Sequence, residues 1–254
     1  MIEFKNVRKV FTTSDRETVA VNDVSLTISE DETLCLIGPS GCGKTTTMKL
    51  INRMIEPTSG EILVDGTNVT QQDVISLRRS IGYVTQKGGL FPHMTVARNV
   101  GMPCELQGWS AEKAKNRIRE LLELINLPAE EYADRYPREL SGGQRQRVGV
   151  ARALALDPKY ILMDEPFGAL DPITRRQIHQ EFLQLKNAVK KTIIIVTHDM
   201  AEAFYLGDRI ALMDQGSIVQ LGTEDDFRQH PANEFVSEFV SDQLTIGESG
   251  GNAK

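Results

Sequence analysis

Nine consecutive residues constrain this chain more than any others. Gly38-Pro39-Ser40-Gly41-Cys42-Gly43-Lys44-Thr45-Thr46 follows the short apolar run Thr33–Ile37 and opens a segment of helical pattern. A strand, a glycine loop and a helix that starts at Lys-Thr make up the phosphate-binding loop pattern. The glycines let successive backbone N–H groups turn inward around an anion, and the helix adds the positive end of its dipole. Lys44 would reach the β- and γ-phosphates of a nucleotide, and the Thr45 hydroxyl would ligate Mg²⁺. The alternative is a glycine-rich turn with no ligand, but the flanking strand and helix stand where the phosphate reading needs them.

The rest of the pattern supports an α/β fold. Met1–Phe11, Thr18–Ile28, Glu61–Val64 and Ile81–Thr85 read as strands, with Asp65-Gly66 a tight turn. From Lys87 to Arg138 the texture changes to a helical insert punctuated by Pro92, Pro103, Gly108 and Pro128, whose main periodic segment is Ser110–Asn126. Strand and helix then alternate: helices at Gln144–Leu156, Thr174–Lys190 and Asp199–Leu206, strands at Tyr160–Asp164 and Thr192–Thr197, and a hairpin of Ile210–Met213 and Ile218–Leu221 turning at Gln215-Gly216. Buried strands each followed by a helix imply a mainly parallel sheet covered on both faces, with ligands at the carboxyl ends of its strands. Ser241–Lys254 is Gly/Ser-rich and reads as a disordered end.

Two more segments carry chemistry. Tyr160-Ile-Leu-Met-Asp164-Glu165 is an apolar strand ending in two carboxylates. Asp164 is placed to hold Mg²⁺, and Glu165 to orient and deprotonate a water at the γ-phosphate. Leu140-Ser141-Gly142-Gly143-Gln144 offers a hydroxyl and two glycine amides at a helix start, which is either a simple N-cap or a second anion cradle. One domain with one nucleotide has no use for a second cradle, unless it completes the nucleotide site of another copy of the chain.

Taken in order, the phosphate loop, Gln86, Leu140–Gln144, Asp164-Glu165, Ala169-Leu170-Asp171 and His198 resemble the ATPase subunit of an ATP-binding cassette (ABC) transporter, from Ile2 to about Val240. The fold this resemblance implies is a P-loop NTPase core with a mainly parallel sheet, an N-terminal antiparallel β region and a helical subdomain insert. It implies a single domain over residues 1–240, with core segments 1–86 and 139–240 and the helical subdomain at 87–138. It implies ATP and Mg²⁺ as ligands, contacted by Gly38 through Thr46, and roles for further residues. Phe11 matches the position that stacks on adenine, where tyrosine is commoner. Gln86 matches the glutamine that approaches Mg²⁺ and senses the γ-phosphate. Ser141 and Gly143, flanked by Gly142 and Gln144, match the signature that meets the partner copy's γ-phosphate. Asp171 matches the link between the two protomers, and His198 the switch histidine that positions the attacking water.

The same resemblance implies partners. A second copy closes the ATP sandwich, and transmembrane permease subunits dock near Gln86–Val100, where Phe91, Pro92, His93 and Met94 stand out. Lys49-Leu-Ile-Asn-Arg-Met-Ile-Glu-Pro, Arg78-Arg79-Ser-Ile-Gly-Tyr-Val and Gly89-Leu-Phe-Pro-His are similar to bacterial importer subunits for glycine betaine, choline and related quaternary amines. A solute-binding protein then takes part indirectly. Many such subunits carry a paired regulatory domain after the ATPase. This chain stops at its Gly/Ser-rich tail, as a naturally short or a truncated member would.

Composition narrows the alternatives. A net charge of −6 and three cysteines speak against nucleic-acid binding and against a disulfide framework. No apolar run approaches the length of a membrane span and no signal peptide opens the chain, so a soluble cytosolic protein is expected; the resemblance implies that it sits peripherally on the inner face of the cell membrane. The insert is too short and too Pro-broken for the coiled coil of a DNA-repair ATPase, and each motif occurs once, unlike the doubled set of translation factors. Cys42, inside the loop, is a free x position rather than a catalytic thiol. Trp109 is expected to pack against the insert, and Arg145, Arg147 and Arg152 to form a solvated or dimer-facing helix face.

Overall fold

The computed structural model describes residues 1–13, 16–86 and 88–249, with side chains to residue 243. The first elements are β1 (Ile2–Thr12), β2 (Glu17–Ile28), β3 (Thr33–Ile37), α1 (Lys44–Ile51), β4 (Ser59–Val64), β5 (Thr67–Asn68), α2 (Val74–Arg79) and β6 (Ile81–Val84). Then come α3 (Val96–Leu106), α4 (Ala111–Leu124), α5 (Ala129–Tyr132), a 3₁₀ turn (Pro137–Glu139), α6 (Gly142–Ala153) and β7 (Tyr160–Asp164). The remainder is α7 (Pro172–Val189), β8 (Thr192–Val196), α8 (Met200–Leu206), β9 (Arg209–Asp214), β10 (Ser217–Gly222), α9 (Glu224–Gln229) and α10 (Glu234–Ser249). Among the described residues no helix is long and apolar enough to cross a membrane.

The chain divides into two compact units, Met1–Leu77 with Thr192–Lys254, and Arg78–Lys191. These limits differ from the expected insert at 87–138, and α6 explains the difference. It packs on α3 and on β6, so the signature segment and β7 travel with the helices that precede them.

In the first unit β1 pairs antiparallel with β2 and with β4, giving the order β2-β1-β4-β5. Asp65 and Gly66, at φ 50 and 76, make the left-handed turn that the β4–β5 hairpin requires. The second layer is built on β3, which pairs parallel with both β8 and β9, while β10 returns antiparallel on β9. Every residue of β3 and of β8 is buried, as befits parallel strands covered on both faces. Met48, Leu50 and Ile51 of α1 are buried as well, so the helix that follows the glycine loop is anchored by its own apolar face.

In the second unit β6 and β7 pair parallel. Val148, Val150 and Leu154 on and beside α6, Leu121 and Leu122 of α4, and Val96, Val100 and Cys104 of α3 form its core. Ser110 caps α4 by accepting from the Lys113 amide, as its sequence position predicts. Trp109 lies beside that start with the Lys113 ammonium 3.7 Å from the centre of its ring.

Three expectations need correction. The helix α10 runs to Ser249, so the part of the tail from Ser241 that was read as disordered is helical there; residues 250–254 lie outside the described residues. Phe235, Val236, Phe239 and Val240 set an apolar repeat that the serines and glycines of the tail obscure, and Val236 and Val240 are buried. Helix α3 passes through Pro103, which sequence reading takes as punctuation; it lies in the third turn of a helix whose start is capped by Thr95. Of the solvated or dimer-facing face expected for the three arginines of α6, the solvated reading fails. Arg145 donates to the Leu140 carbonyl, Arg147 to the Ile125 carbonyl at 3.1 Å, and Arg152 to the Gly88 and Gly89 carbonyls. Each guanidinium is spent on a backbone acceptor inside its own unit.

Candidate functional site

The glycine loop of the first unit is shaped by close backbone approach. A Cβ added at Gly38 would stand 2.1 Å from the Met213 carbonyl oxygen, and one at Gly43 2.2 Å from that of Ala20. Both residues also sit at positive φ, 145 and 107, where a side chain is strained. Helix α1 begins directly after Gly43 with no side-chain cap and no acidic residue in its first turn. The positive end of its dipole therefore faces no acidic side chain of its own first turn, which suits an anion. Lys44 is buried, 7% exposed, and its Nζ donates to the Gly38 and Pro39 carbonyls, both at 2.8 Å. A buried ammonium folded onto its own loop can exchange those carbonyls for phosphate oxygens.

Cys42 is buried next to Lys44. Burial raises its thiol pKa and the Lys44 charge works against that rise, so the thiol is not an activated nucleophile. Thr45 and Thr46, on the first turn of α1, are half-buried. Phe11 lies on β1 and is 40% exposed, with the Lys9 ammonium 4.9 Å from its ring centre. The ring is thus exposed and not part of the core. His198 is exposed between β8 and α8, where Asp199 caps α8 by accepting from the Glu202 amide.

The second unit gathers the carboxylates. Asp164 ends β7, and the Tyr83 hydroxyl donates to its Oδ2 at 3.5 Å. Burial, and then the Asp164 charge, push the Tyr83 pKa upward, so that hydroxyl stays a donor. Glu165, the next residue, sits in the left-handed region at φ 46. For a residue other than glycine, asparagine or aspartate that conformation costs about 1–2 kcal/mol. Gln86, just beyond β6, donates from Nε2 to Glu165 Oε2 at 3.0 Å. Gly168 lies against this pair, since a Cβ there would be 3.4 Å from Gln86 Nε2 and 3.5 Å from Glu165 Oε2.

Leu140–Gln144 is a capping box. Ser141 Oγ accepts from the Gln144 amide at 3.2 Å, while Gln144 Oε1 accepts from the Ser141 amide at 2.8 Å. Gly142 starts the helix, two residues before the predicted Gln144, and Ser141 and Gly142 are exposed. Asp171 caps α7, its Oδ1 accepting from the amides of Ile173 and Thr174 at 3.2 and 3.0 Å. Hydrogen bonding from the Thr174 side chain, and then from its amide, holds the Asp171 carboxyl below the usual range. Pro172 follows at the first helical position, and Ile173 is 84% exposed.

The structure thus places Lys44, Thr45 and His198 in one unit and Gln86, Ser141, Asp164, Glu165 and Asp171 in the other. Within the second unit Gln86 and Glu165 form a bonded pair. Asn99, which sequence reading passed over, and Arg152, which it took for part of a solvated or dimer-facing face, hold the segment after Gln86. Asn99, fully buried on α3, accepts from the Phe91 amide at 2.8 Å and donates to the carbonyls of Phe91, Met94 and Thr95 at 3.0–3.1 Å. Arg152 holds Gly88 and Gly89. An Asn in a helical stretch between apolar neighbours, Val96 and Val100, was the available signal for the first. Asn99→Ala strips four bonds at once and is expected to destabilise the chain by about 2 kcal/mol. A calorimetric midpoint lowered by about 4–8 °C would show it, and an unchanged midpoint would refute the anchoring role.

Comparison with known proteins supplies relatives. The family model described as ABC transporter matches residues 21–168. The glycine betaine/carnitine/choline transport ATP-binding protein OpuCA of Bacillus subtilis is 54% identical over 246 residues, 97% of this chain and 64% of its own length. The osmoprotectant import ATP-binding protein OsmV of Salmonella typhimurium is 49% identical over 97% of this chain and 65% of its own length. This chain thus spans just under two thirds of those relatives. For the glycine betaine uptake system ATP-binding protein YehX of Escherichia coli the identity is 48%, over 94% of this chain and 76% of the relative. Among solved structures, the dimeric cassette MJ0796 in a post-hydrolysis state bound to ADP and Pi superposes with a TM-score of 0.78 at 35% identity, over 88% of this chain and 98% of that one.

Proposed function

Since the chain belongs to the ABC transporter ATPase family, we propose that it is the ATP-hydrolysing subunit of a bacterial importer of glycine betaine, choline or related quaternary amines. The observation that carries the substrate class is the set of relatives. OpuCA, OsmV and YehX match at 48–54% identity over 94–97% of this chain, and each is described by uptake or transport of an osmoprotectant.

The residues support ATP hydrolysis. Lys44 and the glycine loop bind the phosphates, and the exposed Phe11 ring stacks on the adenine. Glu165 accepts a proton from the attacking water, with His198 and Gln86 orienting it. Ser141 and the amides of Gly142 and Gly143, with Gln144 holding the cap in shape, complete the site of a second copy. Asp171 links the two copies, and loss of the γ-phosphate contacts lets them part. The Thr45 hydroxyl, the Asp164 carboxylate and the Gln86 amide oxygen are donors of the kind Mg²⁺ takes, and an uncapped helix start beside a buried ammonium suits its phosphate complex. Mg²⁺ when bound would neutralise charge on the phosphate oxygens.

The permease is read at the segment after Gln86. Lys87 lies outside the described residues, but Phe91, Pro92 and His93 are exposed, and Phe91 meets His93 edge-on at 6.0 Å. Beside them the second unit carries a groove of about 190 Å³ walled by Ile81, Tyr83, Met102, Pro103, Leu106 and Arg152. A groove whose apolar side chains are flanked by Arg78, Arg79 and Arg152 suits a short amphipathic helix from a membrane subunit. Docked there, the chain works at the cytoplasmic face of the membrane, helped indirectly by a solute-binding protein.

The test is reconstitution of the chain with its copurifying membrane protein in vesicles and measurement of ATP-dependent uptake of radiolabelled glycine betaine, choline and carnitine. Uptake of at least one of them, lost with a non-hydrolysable nucleotide, is expected. ATP-driven movement of unrelated solutes alone would remove the quaternary-amine assignment and leave the ATPase reading in place.

A further inference from the structure

The loop after Gln86 is clamped to α6. Arg152 Nη1 donates to the Gly89 carbonyl at 2.9 Å and Nη2 to the Gly88 carbonyl at 3.0 Å. The guanidinium also lies 5.7 Å from the centre of the Phe91 ring. The loop backbone rests directly on the helix: a Cβ on Gly149 would be 3.0 Å from the Gly88 carbonyl oxygen, and one on Gly88 2.9 Å from that of Arg145. One planar fork therefore fixes two successive carbonyls, which a lysine ammonium on its flexible stem cannot reproduce. Two residues before this clamp, the Gln86 amide rests on the Glu165 carboxylate.

We infer that Arg152 is a positioning residue: by holding the Gly88 and Gly89 carbonyls it keeps the Gln86 amide on the Glu165 carboxylate. This rests on the reading of Gln86 and Glu165 as hydrolytic groups.

The physical consequence is specific. Loss of the clamp leaves the nucleotide loop at Lys44 untouched, so nucleotide binding should persist while the Gln86 amide loses its place. A misplacement of about 1 Å in such a group can cost up to about 100-fold in rate. The coupling can be separated from a general packing effect because it must pass through Gln86.

Steady-state ATP hydrolysis by the full chain is measured for Arg152→Met, Arg152→Lys, Gln86→Ala and the Arg152→Met/Gln86→Ala pair, with hydrogen exchange of the 88–91 amides followed in parallel. Arg152→Met should lower kcat about tenfold with KM for ATP within about twofold, and speed exchange at 88–91. Arg152→Lys should recover part of the rate, since one carbonyl can still be held. The double variant should be no slower than Gln86→Ala alone. Losses that multiply in the double variant, or a raised KM with kcat kept, would overturn the inference. If Arg152→Met does not fold, Arg152→Lys carries the same cycle with Gln86→Ala. Glu165→Gln separates the two levels: normal turnover there sinks the hydrolytic reading, whereas an inactive Glu165→Gln with multiplying losses sinks only the role of Arg152.

Discussion

Glu165→Gln is expected to reduce ATP hydrolysis by about 10²–10⁴-fold while leaving the chain able to bind ATP and pair with a second copy. The substitution keeps the shape of the side chain and its place beside the Gln86 amide, which stands 3.0 Å from Oε2, and removes only the negative charge that accepts a proton from water. Binding is carried by other groups, the Lys44 ammonium and the uncapped start of α1. The ATP-bound pair should therefore accumulate because its exit, hydrolysis, is closed. Phosphate release and size-exclusion elution with ATP and Mg²⁺ measure the two halves of this expectation. Turnover at the normal rate would show that another group serves as base. A variant that neither hydrolyses nor pairs would show that the carboxylate is needed for closure itself.

The second large effect concerns concentration. If Ser141 and the amides of Gly142 and Gly143 complete the site of another copy, hydrolysis per chain must fall in proportion to concentration once the solution is diluted below the pairing constant. Ser141→Arg should abolish activity at any concentration, because a bulky cation replaces the exposed hydroxyl that caps α6. Mixing then gives a sharper result. Ser141→Arg and Glu165→Gln are each inactive alone, yet a mixed pair contains one site with an intact Glu165 from one copy and an intact Ser141 from the other. Random pairing should restore up to about a quarter of the normal rate, as the two-fold symmetry of such an interface requires. No recovery on mixing, with each variant shown to bind ATP, would mean that each chain completes its own site.

The sequence was most legible where structure is local. The strand, glycine loop and helix from Thr33 to Ile51 could be read because every residue that shapes it lies within a few positions, and the backbone of Gly43 bears the expectation out at φ 107. The turns at Asp65-Gly66 and Gln215-Gly216 were legible for the same reason, all four residues adopting positive φ. What escaped the sequence acts at a distance. Arg152 bonds to carbonyls 63 and 64 residues away, so on a helix drawn in isolation it looks like one more solvated charge. The Gln86–Glu165 bond joins residues 79 apart, and no spacing rule announces it. Sites of this family are recognised by ordered motifs, whereas the side chains that hold the motifs in place satisfy backbone groups, which every sequence possesses equally.

The backbone at Glu165 has a bearing on how such proteins decay. A carboxylate residue kept in a left-handed conformation is a standing loss that glycine or asparagine at the same position would relieve. Thermal hardiness and enzymatic competence therefore pull in opposite directions at this single position. A copy released from the need to burn fuel would gain sturdiness by discarding its base, and silent descendants of such a gene would be expected to outlast their working ancestors on heating.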